Sequence, residues 1–395
     1  MKLKKKQLRV NFIYNALNEK MLSIAVSIDL KKAFDTINHS ILLRKLSVYG
    51  IRDRALSWFT TYIQNRCQKV KYSSTVLSQN EIMKCGVPQG STLGPLLFLL
   101  YVNDLPNTSD ILSFILFADD TSIFIKGNEL NDLVNSFNLE LKKLSTWFAA
   151  NQLSLNVKKT NCILFTNDRV NSEIKLMIDR TQIAQVQEIK FLGILIDDKM
   201  TWKSHINYIS NKISKSIGIL YKVRHVLSNE WKLNLYKTFV LPYLNYCNII
   251  WASTYKTNIK PLLIKQKRAL KIVLNLHRLT PSRTVFEMAN VHSVYEINDI
   301  HVTIFMFKYM RNLLPLSFTN MFQTAGDIHS ISTRNASNIY LPFPRIEKFK
   351  FSITYSGAAL WNTLPDNVKL CNNLSQLKSN IKKFMLISTN RKILY

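Results

Sequence analysis

Two adjacent aspartates between two short apolar runs are the residues in this sequence best suited to chemistry. Asp119 and Asp120 separate residues 114–118 from residues 121–125, both rich in Phe and Ile. This composition predicts a β-hairpin with the acids at its turn. Neighbouring carboxylates repel each other and resist burial, whereas a divalent cation makes such a pair tolerable; Mg²⁺ is often held by one or two carboxylates plus substrate phosphates. An ordinary exposed Asp-Asp turn remains the alternative reading of this pattern.

A third carboxylate follows another apolar run. Residues 21–28 predict a buried strand that ends at Asp29. A strand-end acid beside a hairpin-tip pair would bring carboxylates from adjacent strands to one point. Two metal ions about 4 Å apart at such a point can activate a 3′-hydroxyl and stabilise a leaving pyrophosphate during an in-line displacement.

A loop dense in Gly and Pro lies between these acids in the chain. Residues 86–95 form this loop, and they open into an apolar helix predicted over 96–102, with Pro95 suited to the first helical turn. Glycines allow a nucleotide or a base pair to approach the backbone closely. A plain helix-initiating turn would have the same composition.

The remaining patterns predict a mixed fold. Strands and helices alternate without a strict βαβ order up to residue 202, which favours an α+β layer, and the pattern is helical afterwards. The further predicted strands are at 66–84, 162–165 and 189–196; the helices are at 40–49, 53–64, 130–149 and 261–276, with an apolar stripe from Ile206 to Leu227 and an apolar, aromatic stretch over 231–251.

Charge indicates a polyanionic partner. The 395 residues carry 53 Lys and Arg against 25 Asp and Glu, a formal charge of +28, which exceeds what solubility requires. Residues 201–280 hold fourteen Lys and Arg and a single acid, Glu230. The sequence thus predicts an acidic site within a basic surround, in a chain long enough for two or three domains.

Cysteine usage and hydropathy predict a soluble, intracellular protein. The five cysteines are scattered and lack the spacing of zinc ligands, which favours reduced thiols. The longest apolar run, 96–102, is far shorter than the roughly 20 residues that span a bilayer.

Several segments resemble, in order and spacing, the palm motifs of reverse transcriptases, with the character of non-LTR (LINE-type) retrotransposons of the Jockey-type clades. The first three motifs correspond to 27–36, 86–91 and 117–120, the fourth to 156–160 and the fifth, the primer grip, to 191–194; 361–365 resembles the C-terminal region of such proteins. The resemblance therefore extends over nearly the whole chain.

This resemblance implies a polymerase palm with an antiparallel sheet and packed helices, followed by a helical thumb and a mostly helical C-terminal region. The corresponding ranges are 1–200 for the palm, 201–280 for the basic thumb and 281–395 for a region of unknown role. Only 28 residues precede Asp29, where the family has a longer fingers region. We therefore expect a chain truncated at its N-terminus, as a 5′-truncated element would encode.

The implied activity is RNA-directed DNA polymerisation, with an RNA template, a DNA primer, dNTPs and two Mg²⁺ ions, for which Mn²⁺ can substitute. The family pattern makes Asp29, Asp119 and Asp120 the catalytic metal ligands and adds the backbone carbonyl of Leu30. It implies action in the nucleus and no membrane partner, and it leaves the oligomeric state open.

The resemblance also assigns roles around these acids. Phe34 would pack under the incoming sugar and exclude a 2′-hydroxyl; Gln89 and Gly90 would contact the nucleotide and template; Lys159 would protonate the pyrophosphate. The primer grip would comprise Phe191, Leu192 and Gly193. The open alternatives are a core role for Phe34 and a solvated Lys159.

Two other functions compete with this one. RNA-dependent RNA polymerases share the palm acids but typically have a second acid where Phe34 stands, so the aromatic ring argues against them. A catalytically impaired nucleic-acid-binding remnant would keep the fold without turnover. Retention of all three acids argues against long decay, whereas the missing fingers argue for impaired activity.

Overall fold

The structure is a computed structural model that describes residues 2–73, 77–167, 173–328 and 338–388. Its strands are β1 (Leu22–Ile28), β2 (Cys67–Gln68), β3 (Glu81–Ile82), β4 (Ser113–Phe117), β5 (Asp120–Gly127), β6 (Asn161–Phe165), β7 (Met177–Ile178), β8 (Thr181–Gln182), β9 (Ala184–Gln185), β10 (Glu188–Phe191) and β11 (Ile194–Asp197). Its α-helices are α1 (Lys2–Asn18), α2 (His39–Val48), α3 (Asp53–Ile63), α4 (Gly94–Val102), α5 (Leu130–Ala150), α6 (Lys203–Lys222), α7 (Asn229–Phe239), α8 (Leu241–Asn245), α9 (Asn248–Trp251), α10 (Lys256–Val273), α11 (Ser282–Ala289), α12 (Val294–Met310), α13 (Ala325–Ile328), α14 (Ile353–Thr363), α15 (Asp366–Lys369) and α16 (Leu374–Ser388).

The chain divides into two compact units. Residues 20–189 form the first, here named the sheet unit, and residues 1–19 with 190–395 form the second, here named the helical unit. The sheet unit contains a five-stranded sheet in the order β4-β5-β1-β6-β9. Its strands pair antiparallel except β6 and β9, which are parallel. The predicted α+β class with an antiparallel sheet and packed helices is therefore confirmed.

Strand β1 lies in the middle of this sheet and is largely buried along its length. Ile24, Val26 and Ile28 point to one face and belong to the core that helices α2, α4 and α5 complete. Because side chains alternate along a strand, Ser23, Ala25 and Ser27 point to the opposite face. The next residue on that opposite face is Asp29.

The helical unit is built on amphipathic helices. Ile206, Ile209 and Ile213 of α6 are buried, and α6 packs along α10, which buries Leu262 and Leu270. The spacing of these residues at three and four positions is what places them on one helix face. No helix in the described part of the chain combines the length and the apolarity needed to cross a membrane.

Several predicted elements need correction. Residues 189–196 are two paired strands, β10 and β11, separated by a turn. The apolar stripe does not continue on one helix to Leu227, since α6 ends at Lys222. The basic helix α10 begins at Lys256 and contains Pro261. Of the predicted strand region 66–84, only β2 and β3 form, and residues 74–76 lie outside the described part of the chain.

Helix α1 was not predicted. The start of the chain is basic, and charge alone does not indicate a helix. The signal for a helix is the spacing of the buried apolar residues Val10, Ile13, Tyr14 and Leu17. All five cysteines are free thiols.

Candidate active site

The register of β1 and β5 brings two of the candidate acids to neighbouring positions. Ile28, the last residue of β1, is paired with Thr121 of β5. Extending this antiparallel register by one residue on each strand places Asp29 opposite Asp120. Both residues then follow the alternation onto the face opposite the core. Asp120 is exposed and Asp29 is half-buried, so both carboxylates are at a solvent-accessible edge.

The third acid lies in the turn that joins β4 to β5. Phe117 pairs with Asp120, which leaves Ala118 and Asp119 as a two-residue hairpin turn. Ala118 has a positive φ of 50°, as such tight turns require, and Asp119 is exposed. The three acids are therefore at the same end of two adjacent strands.

Asp29 is held by the segment that resembles the fourth motif. The Asn156 side-chain Nδ2 donates to Asp29 Oδ2 at 2.9 Å, and the Asn156 backbone N–H donates to the Asp29 carbonyl at 2.8 Å. The Asp29 N–H donates to Thr160 Oγ1 at 3.3 Å. These bonds fix the orientation of the Asp29 carboxylate, a role for Asn156 that the sequence did not reveal.

The donors at this edge suit a hard cation, since Mg²⁺ prefers carboxylate and carbonyl oxygens. Within the described residues, no three His, Cys, Asp or Glu side chains are grouped closely enough to hold an ion. The backbone register, rather than a preformed cluster of side chains, is what brings these acids to the same edge of the sheet. Leu30 lies at the start of the adjoining segment, buried and bridged to Leu155.

The Gly-rich loop packs on the segment that follows Asp29. The Gly86 N–H donates to the Ile37 carbonyl at 2.7 Å, and the Val87 N–H donates to the Phe34 carbonyl at 2.9 Å. A Cβ on Gly86 would lie 2.8 Å from the Asp35 carbonyl oxygen, and φ there is +87°. Only glycine fits this approach, so the first and second motifs are locked together by backbone contacts.

Gln89 and Gly90 lie on the exposed side of this loop. The Gln89 Nε2 donates to Asp35 Oδ1 at 2.6 Å, which holds the amide in place. Gly90 is exposed, has φ +79°, and a Cβ there would meet nothing within 4 Å. The loop therefore presents open backbone at Gly90. Asp35 belongs to the first motif, but no local spacing connects it with Gln89.

Phe34 and Lys159 have different surroundings. The Phe34 ring is half-buried and lies 4.7 Å from the Phe98 ring of α4, tilted by 33°. It therefore contributes to the core and keeps part of its surface accessible. Lys159 is exposed and lies in a turn, where its N–H donates to the Asn156 carbonyl at 3.0 Å.

In the helical unit, the residues assigned to the primer grip are the last residue of β10 and the two-residue turn that leads into β11. Phe191 is buried, while Leu192 and Gly193 both have positive φ, 46° and 86°. The Tyr246 hydroxyl donates to the Leu192 carbonyl at 2.7 Å, and the Lys6 ammonium donates to Tyr246 Oη at 2.8 Å. This turn is therefore held by residues that lie outside the fifth motif, 191–194.

Arg9 adds a second support to the same turn. Its guanidinium lies 4.2 Å from the centroid of the Phe191 ring, a cation–π contact. Burial lowers the pKa of Arg9 to about 9, because the charged form loses its water. Neither Lys6, Arg9 nor Tyr246 was identified from the sequence; the basic residues of α1 had been counted only toward the net charge.

Comparison with known proteins identifies the domain. Residues 3–196 match the family "Reverse transcriptase (RNA-dependent DNA polymerase)". The chain is 26% identical over 300 residues to the probable RNA-directed DNA polymerase from transposon X-element of Drosophila melanogaster, covering 72% of this chain and 33% of that protein. It is 25% identical over 275 residues to the RNA-directed DNA polymerase from mobile element jockey of Drosophila funebris, covering 66% and 29%.

The chain thus spans about a third of the length of these relatives. Among solved structures, it is similar to telomerase from Candida albicans in complex with a fragment of telomeric RNA, with 11% identity, a TM-score of 0.42, and coverage of 73% of this chain and 55% of that one. Apo telomerase from Candida tropicalis matches with 13% identity, a TM-score of 0.41, and coverage of 80% and 55%. Residues 3–196 thus match the reverse transcriptase family, and the sequence relatives of the chain are RNA-directed DNA polymerases of Drosophila mobile elements, jockey among them.

Proposed function

We propose that this chain catalyses RNA-directed DNA synthesis, extending the 3′-hydroxyl of a DNA primer with dNTPs along an RNA template. The observation that carries the proposal is the register that places Asp29 opposite Asp120 next to the Asp119 turn, within a reverse transcriptase domain. In-line displacement with two metal ions needs carboxylates that can converge on the ions, and this register brings acids from adjacent strands to the same edge of the sheet.

The proposed metal ligands are the carboxylates of Asp29, Asp119 and Asp120 and the carbonyl of Leu30. When bound there, two Mg²⁺ or Mn²⁺ ions would activate the primer hydroxyl and stabilise the leaving pyrophosphate. The part played by this chain's own residues is orientation: Asn156 holds one oxygen of Asp29 and the hairpin turn fixes the backbone at Asp119. Carboxylates held in advance reorganise less when the ions bind.

The proposed nucleotide site lies on the Gly-rich loop and the segment after Asp29. Gly90 offers open backbone, Gln89 is braced by Asp35, and the half-buried Phe34 ring is braced by Phe98. These contacts support roles for Gln89 and Gly90 at the nucleotide and template and for Phe34 beneath the sugar. We assign Lys159, exposed on its turn, to protonation of the pyrophosphate.

We assign the duplex-binding surface to the helical unit, with Phe191, Leu192 and Gly193 as the primer grip. Within the predicted thumb, 201–280, eight of the fourteen Lys and Arg are exposed, which suits contacts with phosphates. The proposed palm range remains 1–200. We assign no role to the region 281–395. Residues 329–337 and 389–395 of that region lie outside the described part of the chain. Insertion of new DNA would require action in the nucleus.

A primer-extension assay on the full chain tests this function, with an RNA template, a DNA primer, dNTPs and Mg²⁺. We expect the parent to extend the primer and Asp119→Asn to stop extension while RNA–DNA duplex affinity is kept. Asp110→Asn, which removes another exposed aspartate, is the matched control and should extend like the parent. Parental extension by Asp119→Asn would refute the site, and a folded parent that binds duplex without extending any primer would refute the activity.

A further inference from the structure

Helix α3 of the sheet unit carries a stripe of basic and aromatic side chains that the proposed polymerase site does not use. Arg54, Trp58 and Tyr62 follow one another at intervals of four residues, which places them on one helix face. Arg66 continues the interval just beyond the end of the helix, and its guanidinium lies 5.7 Å from the centroid of the Tyr62 ring. We name these four residues the α3 stripe.

The two aromatic rings of the α3 stripe form a stack. Their centroids are 5.3 Å apart and their planes differ by only 10°. Tyr62 packs against the core of the sheet unit, whereas Trp58 remains 53% exposed. The Phe59 ring meets Trp58 edge-on at 5.1 Å. The indole is thus held by two neighbouring rings while much of its surface faces solvent.

An exposed, pre-oriented indole is suited to binding a planar partner. Tryptophan usually buries most of its area, so this degree of exposure is informative. Because its neighbours restrict the ring, less side-chain entropy is lost when a partner stacks on it. A flat π-surface of this kind accepts any nucleobase, since every base has a π-face.

The surrounding charge selects an anionic partner. Over residues 52–84, the exposed basic side chains outnumber the exposed acidic ones by six to two. The basic residues are Arg52, Arg54, Arg66, Lys69, Lys71 and Lys84, and the acidic residues are Asp53 and Glu81. In the described part of the chain, neither Arg54 nor Arg66 forms an ion pair. Arginine forks match phosphate oxygens well, and two of them flank the aromatic pair.

We propose that the α3 stripe binds single-stranded RNA, with an unpaired base stacked on Trp58 and the adjoining phosphates paired with Arg54 and Arg66. The choice of RNA rests on the proposed function, in which the template is RNA. A purely apolar protein partner would leave the two arginines without counterions, so charge complementarity favours the nucleic acid.

The test measures the affinity of the full chain for a short unstructured RNA labelled with a fluorophore. Trp58→Ala should weaken binding by about 5-fold to 150-fold, the range expected when a base loses its aromatic partner. Trp58→Phe should recover most of the affinity because a ring is restored. Phe343→Ala, which removes another exposed aromatic ring outside the proposed thumb, is the control and should bind like the parent.

Three results would overturn the proposal: unchanged RNA affinity in a folded Trp58→Ala variant, an equal loss in Phe343→Ala, or Trp58-dependent binding of the same oligonucleotide made as DNA but not of the RNA. Asp119→Asn separates this proposal from the polymerase. This variant should bind the RNA as the parent does. If the parent binds RNA through Trp58 but extends no primer, the proposed activity is wrong and the RNA site stands. If the parent extends primers but its RNA affinity does not depend on Trp58, only the RNA site is wrong.

Discussion

The side chain of Asn156 donates to the Asp29 carboxylate at 2.9 Å, although 127 positions separate the two residues along the chain. The backbone of the same asparagine donates to the Asp29 carbonyl. One residue therefore fixes both the direction of the chain after β1 and the rotamer of the strand-end acid. This makes Asn156 a positioning residue in the proposed site.

Replacing Asn156 by Ala should lower primer extension more than it lowers stability. A lost hydrogen bond to a charged group costs about 1.5–3 kcal/mol when fully buried, and less at this half-buried site. The freed carboxylate would then require a higher Mg²⁺ concentration for half-maximal extension. A Mg²⁺ titration of single-turnover extension, with urea unfolding in parallel, measures both effects. Asn80→Ala, which removes an exposed amide, should change neither; an unchanged Mg²⁺ requirement in Asn156→Ala would contradict the positioning role.

Replacing Phe34 by Ala should admit ribonucleotides. If the ring lies under the incoming sugar, its removal eliminates a steric block, so discrimination against ribonucleotides falls while dNTP incorporation changes less. Competition between a dNTP and the matching ribonucleotide measures this ratio. Phe98→Leu is the control, because it disturbs the ring that braces Phe34 without opening the proposed sugar position. Equal effects of both substitutions would show that Phe34 acts only through packing.

Replacing Tyr246 by Phe should weaken the hold on the primer end. The substitution keeps the ring beside Gly193 but removes the hydroxyl that links Lys6 to the Leu192 carbonyl. We expect KM for the primer–template to rise with little change in kcat, and stability to fall by about 1 kcal/mol. Steady-state extension over a range of primer–template concentrations separates the two constants. Tyr243→Phe should behave like the parent, and a drop in kcat alone would argue against the primer-grip role.

Binding of an RNA–DNA duplex should depend steeply on salt and little on sequence. The fourteen-to-one basic excess of residues 201–280 motivates this expectation, because neutralised phosphates release counterions. A protein with roughly 6–10 phosphate contacts loses about 10³–10⁵ in affinity between about 50 and 200 mM salt. Titrations of two duplexes of unrelated sequence at several salt concentrations give the slope. An affinity that stays flat over this range would exclude a backbone-tracking thumb.

Stability should fall in mild acid because of His205. Burial, and more weakly the charge of Lys6, lowers the pKa of this histidine from 6.5 to about 4. In the unfolded chain the imidazole of His205 is therefore protonated below about pH 6.5, whereas in the folded chain it stays neutral down to about pH 4. The stabilisation is fully present above pH 6.5 and is lost as the pH falls toward 4, by up to about 3 kcal/mol.

Urea unfolding between pH 4 and pH 7.5 measures this dependence. His205→Gln should remove most of it, whereas His225→Gln, at an exposed position, should keep it. A parent whose free energy of unfolding follows the same pH curve as His205→Gln would contradict the assignment to His205.

Local sequence patterns were sufficient to predict the strands that carry the candidate acids and to identify those acids. The apolar run before Asp29 predicted β1 to within a residue. The two runs around Asp119 and Asp120 predicted the β4–β5 hairpin, but only Asp119 lies in its turn, since Asp120 is the first residue of β5. Such elements depend on side-chain periodicity and turn chemistry within a few residues, so they can be read from short segments. The ordered motifs then predicted the family, which the comparisons confirm.

The partners of those elements were decided by tertiary structure. The bond from Asn156 to Asp29, the bond from Gln89 to Asp35 and the support of Leu192 by Tyr246 each join residues far apart in the chain. No local periodicity encodes such pairs, because they depend on strand register and on which helix packs where. For the same reason the hairpin within 189–196 was mistaken for continuous strand: its turn depends on positive φ at Leu192 and Gly193, and Leu at such a position is disfavoured unless the surrounding fold holds it there.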